Sequence, residues 1–93
     1  MKNAKNSANK KIQLLKVIGE IIKEKRLNQN KGILLLSYEF DISNSSISAL
    51  EKGIRDVQIS TLWKLANALG MSFSDFINEV ESRLPNGFKM IDD

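Results

Sequence analysis

The sequence predicts an all-α fold, five short helices around one small core, on three observations. Apolar residues recur at helical spacing in successive stretches: Ile12, Leu15, Ile18 and Ile22; Leu36 and Phe40; Ile47 and Leu50; Leu62, Leu65, Ala66 and Leu69; Phe73, Phe76, Ile77 and Val80. Between these stretches stand residues that stop or start helices, among them Gly32, Ser43, Gly53, Gly70, Ser72 and Pro85. Ninety-three residues, 42% hydrophobic and 27% charged, fit one domain with a modest core and make a second domain unexpected.

The first helix is expected from Lys10 to about Leu27, with Leu14 and Ile21 at the margins of its stripe. Residues 1–9, rich in Lys, Asn, Ser and Ala and without an apolar anchor, read as a flexible basic arm. Gly19 costs that helix up to ~1 kcal/mol relative to alanine, which implies that another helix packs closely against it. Residues 28–32, NQNKG, form a turn. The second helix opens at Ile33 with four consecutive apolar residues, and a short helix cannot turn all four inward. Leu36 is the core position, leaving Leu34 or Leu35 exposed or covered by a partner subunit or the arm.

The pattern breaks at Asp41-Ile42-Ser43 and resumes with Ile47 and Leu50, so two short helices meet across a corner. Asp41 tolerates a left-handed turn, Ile42 plugs the angle, and Ser43 is placed to cap the next helix with its hydroxyl. Gly53 supplies a left-handed C-terminal cap, followed by a loop containing Arg55. Ser60 is expected to cap a fourth helix running to Leu69, with Gly70 as its stop and Trp63 packed beside its stripe. Ser72-Phe73-Ser74-Asp75 resembles a capping box opening a fifth helix to about Arg83. Ile77, Val80 and Leu84 continue an apolar edge beyond what a small domain needs. Pro85-Asn86-Gly87 ends the helix, and the apolar Phe88 to Ile91 either folds back or meets another chain. The expected layout is therefore an arm at 1–9, a domain at 10–84 and a tail at 85–93.

The third helix has two unlike sides. Ile47, Leu50 and Glu51 share one, while Asn44, Ser45, Ser48, Ala49 and Lys52 share the other, which is small, polar and flat. Such a face, led by the positive end of a helix dipole, suits the DNA major groove. Asn44 either offers the paired donor and acceptor that match adenine N6 and N7 or supports the helix start beside Ser43. Ala49 offers a methyl group for thymine, and Ser45 and Ser48 can bond to several base edges. With no Arg or Lys in the first two turns to read guanine, an A·T-biased half-site follows.

With these features the chain resembles the phage-repressor-like (Cro/repressor) helix-turn-helix regulators of bacteria and phages. The resemblance runs without gaps from Ile18 to about Val80, through Ile18-Gly19, Ile22, Arg26, Leu36-Ser37, Ile42-Ser43, Ile47-Ser48, Glu51-Lys52-Gly53, Leu62, Leu65-Ala66, Ala68-Leu69-Gly70 and Phe73. It implies a compact five-helix, lambda-repressor-like bundle whose second and third helices form the DNA-binding unit. It also implies a structural ion pair between Arg26 and Glu51. Repression by occupying a promoter is the role the resemblance most commonly implies, although activation uses the same fold. The chain departs from the family pattern at Asp41, where glycine is usual, at Ser37 for alanine, and at Val57 for proline. Ile33 stands where many members carry a DNA-contacting glutamine.

Double-stranded DNA is the expected partner. Base reading falls to Asn44, Ser45, Ser48 and Ala49, and phosphate contact to Lys31, Ser46, Lys52 and Arg55 with the amide ends of two short helices. A homodimer on a near-palindromic site is expected, because one domain reads only a few base pairs. Leu34, Ile77, Val80, Leu84 and Phe88 are the candidate dimer or partner contacts. The same residues would serve a second kind of function, an antitoxin-like module that neutralises a protein partner. Residues 1–31 carry nine basic and two acidic side chains, whereas the rest of the chain is net acidic, so the front of the chain either supplies phosphate attraction or is merely solvated.

Catalysis fits poorly. Without histidine or cysteine the chain lacks the commonest catalytic base, thiolate ligands and disulfides. It has no glycine-rich phosphate loop, and its serine run has no histidine to activate a nucleophile. No enzyme activity, metal or cofactor is expected. No apolar run approaches the ~20 residues of a membrane span, and no signal-peptide hydrophobic region follows the first residues, so a cytoplasmic protein is expected.

Overall fold

The five predicted helices form in the predicted order: α1 Ala4–Asn28, α2 Ile33–Phe40, α3 Asn44–Glu51, α4 Ile59–Ala68 and α5 Phe73–Ser82. They are seen in a computed structural model that describes residues 4–91, with side chains from residue 9 onward. Helix α1 begins at Ala4 rather than Lys10. Residues 4–9 of the expected flexible arm are thus helical, because no Gly or Pro interrupts them and Ala and Lys are strong helix formers. The first three residues of that arm and the last two of the tail lie outside the described residues.

The core is built where the stripes converge. Ile21 and Ile22 of α1, Leu36 of α2, Ile47 of α3, Leu65 of α4 and Phe76 of α5 are its largest fully buried side chains. Two helix starts have side-chain caps: Ser43 Oγ accepts from the Ser46 amide at 3.2 Å, and Ser72 Oγ from the Asp75 amide at 3.1 Å. Ser60 is not a cap. Helix α4 starts at Ile59 with Gln58 as the N-cap residue, and no side chain bonds to that end.

Val80 and Leu84, expected as partner contacts, are instead buried in the core. The reason is tertiary: after Gly87, with φ at +74°, the tail folds back, and the half-buried Phe88 packs onto the cluster containing both residues. The Phe88 amide donates to the Pro85 carbonyl oxygen at 3.0 Å, and Lys10 Nζ donates to the carbonyl oxygen of Ile91 at 2.8 Å. Polar staples run alongside. Arg83, the C-cap of α5, donates to both carboxylate oxygens of Glu24 of α1, at 2.8 and 3.1 Å, and Lys25 pairs with Glu79 at 3.1 Å. The hydrogen bond from Arg83 holds the Glu24 carboxyl below its usual range. That staple is fully formed at neutral pH and loosens as pH falls through the lowered value.

Helix α1 approaches the end of α3 very closely. A Cβ at Gly19 would lie 2.3 Å from the Leu50 carbonyl oxygen and 2.8 Å from that of Glu51. Backbone meets backbone there, so nothing can swing aside. Gly53, at φ +68°, continues the contact, and a Cβ on it would stand 3.0 Å from Cα of Lys16. The close packing inferred from a glycine inside an apolar stripe is therefore present. Gly19→Ala is expected to lower unfolding free energy in urea melts by ~1–3 kcal/mol or more, the range of overpacking. A gain of ~1 kcal/mol, as helix propensity alone would give, would show that α1 and α3 can separate freely.

Candidate nucleic-acid interface

The corner between α2 and α3 follows from three residues. Asp41 takes the left-handed conformation, φ 54° and ψ 51°, and its amide bonds to the Ser37 carbonyl oxygen. The Ile42 amide reaches the same oxygen at 3.2 Å, and the Ile42 side chain is buried in the angle. Asparagine and aspartate bear this conformation better than most residues, which is why Asp41 can stand in for the glycine usual at this place.

Beyond the corner, α3 presents Asn44 and Ser45 to solvent and Ser48 at half burial. The Ser45 hydroxyl shares a hydrogen bond with that of Ser43 at 2.8 Å. The cap belongs to Ser43, and the Asn44 carboxamide has no hydrogen-bond partner among the described residues. No acidic residue lies in the first turn of α3, so the positive end of its dipole is unopposed there.

Ala49 does not join this surface. It is only 8% exposed. The methyl group offered to thymine is thus withdrawn from the reading face. Lys31 is also differently placed. Its Nζ pairs with Glu39 at 2.9 Å and sits 5.2 Å from the centroid of the Phe40 ring, which commits it within the chain.

Lys52 and Arg55 are exposed and have no ion pair among the described residues. Arg55 and the half-buried Ser46 line a cleft with Gln58 and Thr61, between α3 and the start of α4. Gln58 and Thr61 carry no charge or motif that would mark them in a sequence. Only the uncapped start of α4 beside α3 brings them to the site. Helix α2 likewise starts at Gly32 with no side-chain cap. The first-turn amides of both helices are left for an outside acceptor, and phosphate oxygens fill that role well.

A buried ion pair holds this surface to the body. Arg26 Nε and Nη2 donate to the two Glu51 carboxylate oxygens at 2.6 and 2.9 Å, and Nη1 donates to the Lys31 carbonyl oxygen at 2.8 Å. The two side chains are only 8% and 6% exposed. The hydrogen bond to Glu51 raises the Arg26 pKa further against the opposing effect of desolvation, so the guanidinium stays charged at any working pH. One side chain thus ties the end of α1, the turn before α2 and the last turn of α3. Removing one partner from such a pair strands a buried charge. Arg26→Ala is expected to cost ~3–5 kcal/mol in urea melts, and a change within error would mean that water can reach Glu51 in its place.

A short helix with an exposed, uncharged outer face, set at a corner and flanked by cations and uncapped helix ends, defines a helix-turn-helix DNA-binding regulator. The helix-turn-helix family model HTH_3 matches residues 22–76, and the chain belongs to that family, the Cro/C1 type. Among solved structures it is similar to the restriction-modification controller protein C.Esp1396I, seen as a tetramer in complex with its natural 35-base-pair operator. That similarity has a TM-score of 0.67 and 25% identity, over 74% of this chain and 91% of that one. The clp gene regulator ClgR from C. glutamicum shares the fold, with a TM-score of 0.69 and 24% identity over 77% and 92% of the two chains. No curated protein sequence gives a significant match. Among the described residues, no helix is long and apolar enough to cross a membrane.

Proposed function

We propose that the protein is a transcriptional repressor that occupies its operator as a homodimer, a binding role without catalysis carried out beside the chromosome in the cytoplasm. The observation that carries this reading is the Asn44 side chain, exposed at the start of α3 and without a hydrogen-bond partner among the described residues. A carboxamide in that position can donate to N6 and accept at N7 of one adenine. Ser45 and Ser48 would add adaptable contacts, while Lys52, Arg55, Ser46 and the uncapped ends of α2 and α4 would hold phosphates. The operator complex of C.Esp1396I supports DNA as the ligand and assembly on it.

With Val80 and Leu84 buried, the dimer contact is better carried by the outer sides of α4 and α5. Ile59 and Trp63 are 68% and 52% exposed and one turn apart on α4. The Trp63 ring stacks on Phe73 with centroids 4.6 Å apart, and the half-buried Ile77 follows Phe73 by one turn. A patch of this kind, presented twice, makes the isologous contact of a two-fold dimer. Its half-sites on DNA would lie ~34–36 Å apart.

Selection of bound fragments from random DNA tests the reading. Each half-site is expected to contain an adenine whose replacement weakens the wild type but not Asn44→Ala, and the variant should lose ~1–3 kcal/mol on the selected site alone. Half-sites with guanine at their core, or an equal loss on selected and random DNA, would overturn the assignment of Asn44.

A further inference from the structure

The front of α1 and the loop that leaves α3 border a cleft of about 580 Å³ that has no part in the proposed dimer. Gly53 joins its two walls: a Cβ there would stand 3.0 Å from Cα of Lys16, so loop and helix meet through bare backbone. Ile12 of α1 and Ile54 of the loop line the cleft while 60% and 72% exposed, and the buried Leu15 lines it with them. Lys16 and Lys52 line it too, exposed and with no ion pair among the described residues. Lys11, one turn before Leu15, pairs with Asp56 at 3.2 Å, so those two charges cancel. Two uncovered isoleucines and two uncommitted ammonium groups are left around one preformed space.

We infer that this cleft is an effector site for a small anionic amphiphile, an apolar chain ending in a carboxylate or phosphate, and that its occupation weakens the hold on DNA. The inference rests on the regulator reading and adds a means of release to it. Charge and exposure together select the ligand. A phosphodiester backbone would meet the ammonium groups but leave both isoleucines in water. An uncharged apolar molecule would cover the isoleucines and leave the cations beside it without a counter-charge. A ligand with both parts matches both, and the volume falls within the range of small-molecule sites. Lys52 couples the cleft to DNA. Its ammonium is one of those assigned to phosphate, so a bound head group draws it away and sets a negative charge beside those of the operator. Ile12 and Lys16 precede residues 22–76 of the shared helix-turn-helix domain, so the α1 wall of the site stands outside the common domain.

Decanoate, kept below its micelle-forming concentration, is the probe, with decanol and decyltrimethylammonium as its uncharged and cationic counterparts. Titrated into the full chain and followed by backbone amide NMR, decanoate is expected to saturate a single site, with shifts centred on Ile12, Lys16 and Ile54. It should bind about tenfold or more tightly than either counterpart. The double variant I12S/I54S should bind it about tenfold or more weakly, with helical circular dichroism unchanged because both side chains are exposed, and K16Q should weaken it as well. On a DNA fragment selected by the protein, saturating decanoate should lower wild-type affinity about fivefold or more, and the fragment should lower decanoate affinity by the same factor. I12S/I54S should bind that fragment as wild type does, with or without decanoate. The proposal is overturned if decanoate does not saturate, if a counterpart binds as tightly, or if the double variant binds decanoate like wild type. It is equally overturned if decanoate binds and leaves DNA affinity unchanged, or if I12S/I54S loses DNA affinity without ligand, which would make the cleft a DNA contact. Binding to phosphatidylglycerol vesicles through the same residues, in preference to dissolved decanoate, would overturn it in favour of a membrane surface. Failure of wild type to select any DNA would remove the regulator reading, while decanoate binding and its loss in I12S/I54S would still decide whether the cleft takes an anionic amphiphile.

Discussion

The approach of α1 to the last turn of α3 sets the position of everything this protein presents to DNA. At Gly19 two backbones lie so close that only hydrogen fits between them, and a few residues on, Arg26 closes the same crossing with a bidentate pair to Glu51. Contact at the glycine fixes distance, whereas the ion pair fixes rotation, because a planar guanidinium matches a carboxylate in one orientation. A recognition helix of eight residues has little stability of its own. Its position is borrowed from the long helix behind it.

That dependence explains the chemistry of the exposed side. Since α3 is anchored through Ile47, Leu50 and Glu51, its outward positions carry no structural duty and can be small and polar. A flat face of this kind admits close approach to base edges but offers few strong contacts, and no guanidinium stands among them to read guanine. In the proposed function the remaining affinity would come from Lys52 and Arg55, from helix ends lacking side-chain caps, and from doubling the site in a dimer.

Much of this was legible in the sequence because it depended on neighbours along the chain. The corner at Asp41-Ile42-Ser43, the cap on α3 and the left-handed Gly53 are local, and the crossing at Gly19 could be inferred from a costly residue kept inside a helical stripe. The pair of Arg26 with Glu51 was legible from a carboxylate on an apolar face together with the resemblance. Ala49 falls opposite Ile47 in the helical period and yet is buried, because burial is set by what packs around the helix in three dimensions, which periodicity does not encode. Val80 and Leu84 looked like surplus apolar edge only while the path of the tail was open. The pairing of Lys31 with Glu39 spans a turn and two turns of helix, and Gln58 and Thr61 enter the site only because of where α4 begins.

Native-state hydrogen exchange across α3 can decide whether α1 is what holds the recognition helix in place. Amides from Ile47 to Glu51 are expected to exchange only through global unfolding, with the same opening free energy and denaturant dependence as the core amides of α1 at Ile21 and Ile22. If the α3 amides instead opened locally, several kcal/mol below the global value and independently of denaturant, the helix would be positioned by its own turn and caps and not by its crossing with α1.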